Sequence, residues 1–76
     1  SITAWPNPSV GAVTVRADRF PDPIRLEVVD ALGRVVSVLE AAPERDVALP
    51  RLAPGLYTVR AVGALEVDAV RVVVAR

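Results

Sequence analysis

Ile24-Arg25-Leu26-Glu27-Val28-Val29-Asp30 is the stretch on which the fold turns. Ile24, Leu26 and Val28 alternate with Arg25 and Glu27, a period of two that puts aliphatic side chains on one face of a strand and charges on the other. β-Branched residues fit this pleated setting and lose rotamer freedom in helices. On its carboxyl side, Asp30-Ala31-Leu32-Gly33 fits a short hairpin loop in which Gly33 takes the positive φ that other residues resist. Val36 and Val38 then continue as the next strand. A helix competes here, because Val28, Leu32, Val35, Val36 and Leu39 also fall near one face at 3.6-residue spacing. Gly33 in mid-segment and the density of valine weigh against it.

The same period extends outward in both directions. Asp18 to Pro23 (DRFPDP) is a proline-bounded turn, preceded by a strand in which Val13 and Val15 alternate with Thr14 and Arg16. Downstream, Val47 and Leu49 suggest a short strand before the turn at Pro50 to Gly55. Tyr57 and Val59 alternate with Thr58 and Arg60, a turn follows near Gly63, and Leu65 and Val67 suggest a short sixth strand. Val70, Val72 and Val74 around Arg71 form the last. Seven strands at intervals of about 8 to 12 residues, punctuated by turns, predict an all-β protein, an immunoglobulin-like sandwich of antiparallel strands. Leu52-Ala53-Pro54-Gly55-Leu56-Tyr57 adds a sharper signal. A Tyr opening a strand after such a turn is placed for a tyrosine corner, its ring inward and its hydroxyl on upstream backbone, the alternative being an ordinary half-buried strand Tyr.

Composition narrows the function. Seventy-six residues make one small domain that removes roughly 60 to 65 % of its unfolded surface from water. Hydrophobic residues make up 53 % of the chain but only three are aromatic, so the core must be aliphatic. Cysteine is absent, so no disulfide or thiolate metal site reinforces it. Nine arginines balance nine acids and are spread along the whole sequence, which offers no block for a nucleic acid or a polybasic membrane contact. The longest aliphatic run, Val70 to Ala75, is interrupted by Arg71 and too short to span a bilayer, and no signal peptide opens the chain. A start at Ser1 without methionine reads as a piece excised from a longer protein.

Catalytic chemistry finds few candidates. Without His or Cys, the commonest general base and the best neutral nucleophile are missing. Ser1, Ser9 and Ser37 have only carboxylates and arginines as prospective partners. A pair of carboxylates could serve a glycosidase, yet a sandwich of this size offers no cleft for a sugar chain. Asp18 and Asp22 share one loop and could share a calcium ion, but the ligand spacing of an EF-hand is lacking, and two solvated loop acids are the simpler reading. Every Gly stands alone in a turn, which leaves no phosphate loop. Arg16, Arg25, Arg60 and Arg71 are expected on outward faces, paired across strands with acids such as Glu27. The expectation is therefore no enzyme, no cofactor and no metal.

Four ordered stretches carry a resemblance. Trp5, Pro6, Asn7, Pro8 and Gly11 (WPNPSVG) form an aromatic-Pro-Asn-Pro motif; Ile24, Val28, Asp30, Gly33, Arg34 and Val36 form an aliphatic strand leading to Asp-x-x-Gly and a basic residue. Leu49, Leu52, Gly55, Tyr57 and Val59 form an L-x-x-L-x-x-G-x-Y pattern, and Arg71, Val72, Val73, Val74 and Arg76 a basic-aliphatic close. In this order and spacing the chain resembles the carboxy-terminal sorting domains of the bacterial type IX secretion system, over nearly its whole length. Tyr or Phe is commoner in that family where Trp5 stands, and lysine is missing where the family often has it.

The resemblance implies a non-catalytic secretion signal, residues 1–76 being one carboxy-terminal sorting domain cut from a larger exported protein. It implies cargo covalently linked on the amino-terminal side and passage across the outer membrane of Gram-negative bacteria of the Bacteroidetes group. The partners it implies are the outer-membrane translocon, its shuttle proteins and a sortase-like cysteine peptidase that removes the tail. Its course runs through the periplasm to the cell surface or the medium, often with the cargo attached to anionic lipopolysaccharide. The domain itself would neither span the membrane nor bind nucleic acid. Val70, Arg71, Val72, Val73, Val74, Ala75 and Arg76 are the expected recognition residues, since a terminal strand can expose a sheet edge to which a receptor strand adds. Trp5, Pro6, Asn7, Pro8, Gly11, Asp30, Gly33, Arg34, Leu52, Gly55 and Tyr57 are expected to be structural, with Pro6 to Pro8 also able to orient a linker to the cargo. A different class of function, a fibronectin type III-like structural or ligand-binding accessory module, shares the L-x-P-G-x-Y pattern. Such modules carry a core Trp inside an early strand, whereas Trp5 is expected to precede the first strand.

Overall fold

A computed structural model describes all 76 residues, Ser1–Arg76. The chain is all-β with seven strands: β1 (Ile2–Trp5), β2 (Thr14–Ala17), β3 (Ile24–Asp30), β4 (Val35–Ala41), β5 (Val47–Ala48), β6 (Gly55–Val62) and β7 (Val67–Val74). They form two antiparallel sheets, ordered β1-β2-β5 and β4-β3-β6-β7, packed as an immunoglobulin-like sandwich. No helix is present, so the competing helical reading of Val28 to Leu39 gives way to the β3–β4 hairpin.

Alternation builds the core as expected. Ile24, Leu26 and Val28 of β3 and Val59 and Ala61 of β6, the two central strands, are at most 1 % exposed, facing Val15 and Ala17 of the smaller sheet. Fully withdrawing an aliphatic side chain of this size contributes about 1.5–3 kcal/mol. Phe20 anchors the DRFPDP turn by burying its ring, and Leu49 and Leu52 close the opposite end of the same core. The β3–β4 turn is held by Gly33 N–H donating to Asp30 O at 3.0 Å and Asp30 N–H donating to Arg34 O at 2.9 Å, with Gly33 at φ +83°. A side chain resists that conformation.

Three local expectations change. Ile2–Trp5 is a strand, β1, which pairs residue for residue with β2. Its sequence, ITAW, is too short to reveal a period of two. Leu65 and Val67 do not make a separate strand: Leu65 lies at the tip of the Gly63–Glu66 turn, 94 % exposed, and Val67 begins an unbroken β7. The total of seven survives because one missed strand replaces one strand too many. In β4, Val36 and Val38 point outward while Ser37, Leu39 and Ala41 lie opposite Val28, Leu26 and Ile24. A bulge lets Val35 and Val36 both oppose Val29, which shifts the face that the simple alternation suggests.

Candidate recognition surface

The first, third and closing stretches singled out in sequence and the Asp30–Arg34 turn of the second converge on one end of the sandwich, Ile24 lying at the other. Register places Asp30 beside Tyr57, Tyr57 beside Val72, and Gly55 beside Val74. Ser9 forms a parallel bridge to Val74, and Leu52 N–H donates to Gly11 O at 3.0 Å. Residues 5–11, 30–34, 52–57 and 72–76 thus share a single pole, although sixty residues separate the first segment from the last.

The closing strand is not an open edge there. In an antiparallel pair, alternate residues turn their backbone groups away from the partner strand. On β7 these outward groups are met by the segment after β1. Asn7 Nδ2 donates to Arg71 O at 2.8 Å, Val73 N–H donates to Asn7 Oδ1 at 3.0 Å, Ser9 N–H donates to Val73 O at 2.9 Å, and Ala75 N–H donates to Ser9 O at 2.7 Å. One side-chain amide and one residue's backbone therefore occupy the edge over 71–75, where a receptor strand was expected to add. Buried Ser9 also accepts from Gly11 N–H through its Oγ at 2.9 Å. Both peptide bonds preceding Pro6 and Pro8 are cis. Trp5 closes β1 instead of preceding the first strand, and at 38 % exposure it is no core Trp.

Each remaining motif residue has a local task. Tyr57 forms the tyrosine corner: the residue is 9 % exposed and its hydroxyl donates to Ala53 O at 2.7 Å. Gly55 opens β6, and Leu52 is buried beneath the turn. Gly11, at φ +127°, lies under the Arg51 guanidinium, which a Cβ would approach to 3.0 Å while Arg51 Nη2 donates to Val10 O at 3.1 Å. Asp30 collects three bonds, accepting from Leu32 N–H and Arg34 N–H through Oδ1 and from Arg34 Nε through Oδ2, each at 2.9 Å. The Arg34 backbone N–H above all lowers its pKa, opposed by desolvation and aided by the Leu32 N–H and the Arg34 guanidinium. Of the last strand and the two residues after it, Val72 and Val74 are buried and Val70 packs against the core, while Arg71, Val73, Ala75 and Arg76 are exposed.

Charge that is even along the sequence is uneven in space. The motif pole carries Arg34, Arg51 and Arg76, with Arg71 opposite Thr58 at its inner margin, against Asp30 alone among the side chains. Seven acids (Asp18, Asp22, Glu40, Glu44, Asp46, Glu66 and Asp68) lie towards the other end with Arg16, Arg19, Arg25 and Arg45. Between them Glu27 receives Arg25 at 2.9 Å and Arg60, its cross-strand neighbour, at 2.8 Å. Arg16 pairs with Asp18 at 2.9 Å and Asp46 at 3.5 Å, so the Asp18 carboxylate is directed to an arginine. No group of three or more potential metal ligands gathers anywhere. Sequence reasoning missed Ser9, Arg51, Leu32 and Leu56 as members of this pole, since their neighbours lie in other strands.

A family model for the secretion system C-terminal sorting domain matches residues 3–75. The chain belongs to that family. It is a type IX sorting domain, and all four motifs fall inside the matched range. Membership assigns it to export towards the cell surface or the extracellular space. The shared L-x-P-G-x-Y pattern therefore does not favour a fibronectin-like module, the more so as Trp5 lies outside the core. No match was found among curated proteins. No helix of the sorting domain is long and apolar enough to cross a membrane.

Proposed function

We propose that the sorting domain, residues 1–76 as one unit, is the non-catalytic tail of a larger exported protein, read as a folded surface. Its readers are the outer-membrane translocon and shuttle proteins of type IX secretion, encountered from the periplasm. A sortase-like cysteine peptidase then cuts the tail from the cargo, at or before the Trp5–Pro8 segment. The observation that carries this reading is the family match over residues 3–75, joined to the meeting of part of each motif at one pole. Recognition through Val70–Arg76 uses the side chains of Arg71, Val73 and Arg76, because the strand's outer backbone groups are engaged by Asn7 and Ser9.

Deleting the last five residues is a poor test, since it removes buried Val72 and Val74 and so threatens the fold. A better one fuses an inert reporter to residues 1–76 in a host with type IX machinery and compares wild type with an Arg71→Gln/Val73→Ser/Arg76→Gln variant. Export of the wild-type fusion with loss of the tail is expected, and reduced export of the variant at unchanged thermal stability. A wild-type fusion retained in the periplasm would overturn the sorting reading. Equal export of both would overturn the part given to Val70–Arg76.

A further inference from the structure

The sorting reading leaves open what chemistry the motif pole recognises, and the spatial separation of charge bears on it. A chain of net charge zero whose side chains sum to +3 at one end (four arginines and Asp30) and −3 towards the other (seven acids and four arginines) has a directed field. Strand β6, eight residues long, sets the extreme ends roughly 25 Å apart, beyond the Debye length of about 8 Å at physiological salt, with Arg71, opposite Thr58, between them on the basic side. At the motif end, Asp30 is saturated by its three donors, and Arg51, Arg71 and Arg76 belong to no ion pair. Arg34 spends its Nε on Asp30 but leaves its side chain 71 % exposed.

Apolar groups accompany these cations. Leu32 is 78 % exposed, and Leu56 and Val73, cross-strand neighbours on the outer face, are 46 % and 45 % exposed. Between the Asp30–Arg34 turn and the Pro54–Tyr57 turn runs an open groove of about 270 Å³, walled by Leu32, Arg34, Pro54 and Leu56 and lined also by Asp30, whose carboxylate is held by its three donors. Such a groove accepts one aliphatic side chain, and guanidinium forks match carboxylates in a bidentate geometry. Bases would call for aromatic stacking platforms, and Trp5 is the only exposed aromatic.

We propose that this pole binds an acidic polypeptide segment, its carboxylates on Arg34, Arg51, Arg71 and Arg76 and one aliphatic side chain in the groove beside Leu32 and Leu56. This rests on the sorting reading for its setting, the segment belonging to a component of the export machinery. Attraction brings the basic end forward, and the acidic end repels the same partner, so the domain docks in one orientation. The field thereby selects which end is presented.

The test titrates the 76-residue domain with a seven-residue peptide of six aspartate or glutamate residues around a central leucine, followed by amide chemical shifts at low and high salt. Shifts centred on Leu32, Arg34, Leu56 and Val73 are expected, with affinity falling about tenfold or more between 50 and 300 mM salt. An Arg34→Gln/Arg51→Gln/Arg71→Gln/Arg76→Gln variant should bind about tenfold more weakly, whereas Arg19→Gln/Arg45→Gln should bind as wild type. Shifts spread over the far end, or an unchanged affinity in the fourfold variant, would overturn the proposal. So would binding to phosphatidylglycerol vesicles but not to the peptide, or head-to-tail self-association in sedimentation that accounts for the same shifts. Reporter export separates this from the sorting reading. A wild-type fusion that stays inside refutes sorting, while a wild-type and a fourfold-variant fusion exported equally refute only the acidic partner.

Discussion

Asn7 joins the two ends of the sequence, and its replacement by alanine tests that junction quantitatively. Two hydrogen bonds are lost, at 2.8 Å to Arg71 O and 3.0 Å from Val73 N–H. The site is exposed, so water replaces both partners and the loss is the net value of each bond, about 0.5–1 kcal/mol, or about 1–2 kcal/mol together. A domain of this size loses about 4–8 °C of Tm per kcal/mol, so Asn7→Ala should melt about 5–15 °C lower. Asn7→Asp is nearly isosteric and keeps the acceptor for Val73 N–H. It also sets a carboxylate oxygen against Arg71 O, so it should be no more stable than Asn7→Ala. Thermal melts by circular dichroism measure the first effect, and hydrogen exchange at Val73 localises it. A Tm within about 1 °C of wild type with Val73 protection unchanged would refute the stitching of the motif to β7.

Other consequences follow from single contacts. Tyr57→Phe removes the bond to Ala53 O from a buried ring and should cost about 1 kcal/mol without altering the β-sheet spectrum, as read from urea midpoints at constant slope. Gly11→Ala both strains a backbone at φ +127° and pushes into the Arg51 guanidinium, and should destabilise by about 1–3 kcal/mol, with the Leu52 amide losing exchange protection. Asp30 has a lowered pKa when folded, so its contribution is complete above the unfolded value near 3.9 and is lost as pH falls through the lower folded value. Stability measured from pH 6 down to pH 2 should accordingly fall in acid, and Asp30→Asn should flatten that part of the profile. An unchanged profile in the variant would remove Asp30 from the account.

The central hairpin was legible because Ile24, Leu26 and Val28 state a period of two over a full strand and Gly33 marks its turn. Tyr57 was legible for a different reason, the fixed offset of a corner Tyr from Pro54 and Gly55. Strand β1 was not, since four residues ending in Trp5 are held by their pairing with β2, a non-local cause that no local pattern records. The inverted face of β4 has the same origin: one extra residue in a bulge reverses the side to which Val36 and Val38 point. At the candidate surface, the motifs could be read singly but not their meeting place. Asn7 looked like a turn residue, yet its partners are 64 and 66 positions away. Evenly spaced arginines gave no hint of a basic pole, because strand direction decides which end each one reaches.

Type IX recognition, as proposed above, reads a folded surface and not a linear string of motifs. Val15 is fully buried and lies outside all four motifs, so Val15→Asp alters no motif letter. The change forfeits about 1.5–3 kcal/mol of burial and sets an unpaired carboxylate in the core at a further cost of several kcal/mol. A 76-residue domain has a total stability of about 4–11 kcal/mol to oppose this. Export of a reporter bearing this tail, normalised to the fusion protein accumulated in the cell, should drop to the level of a reporter with no tail. Export at the wild-type level from a tail that circular dichroism finds unfolded would contradict the account.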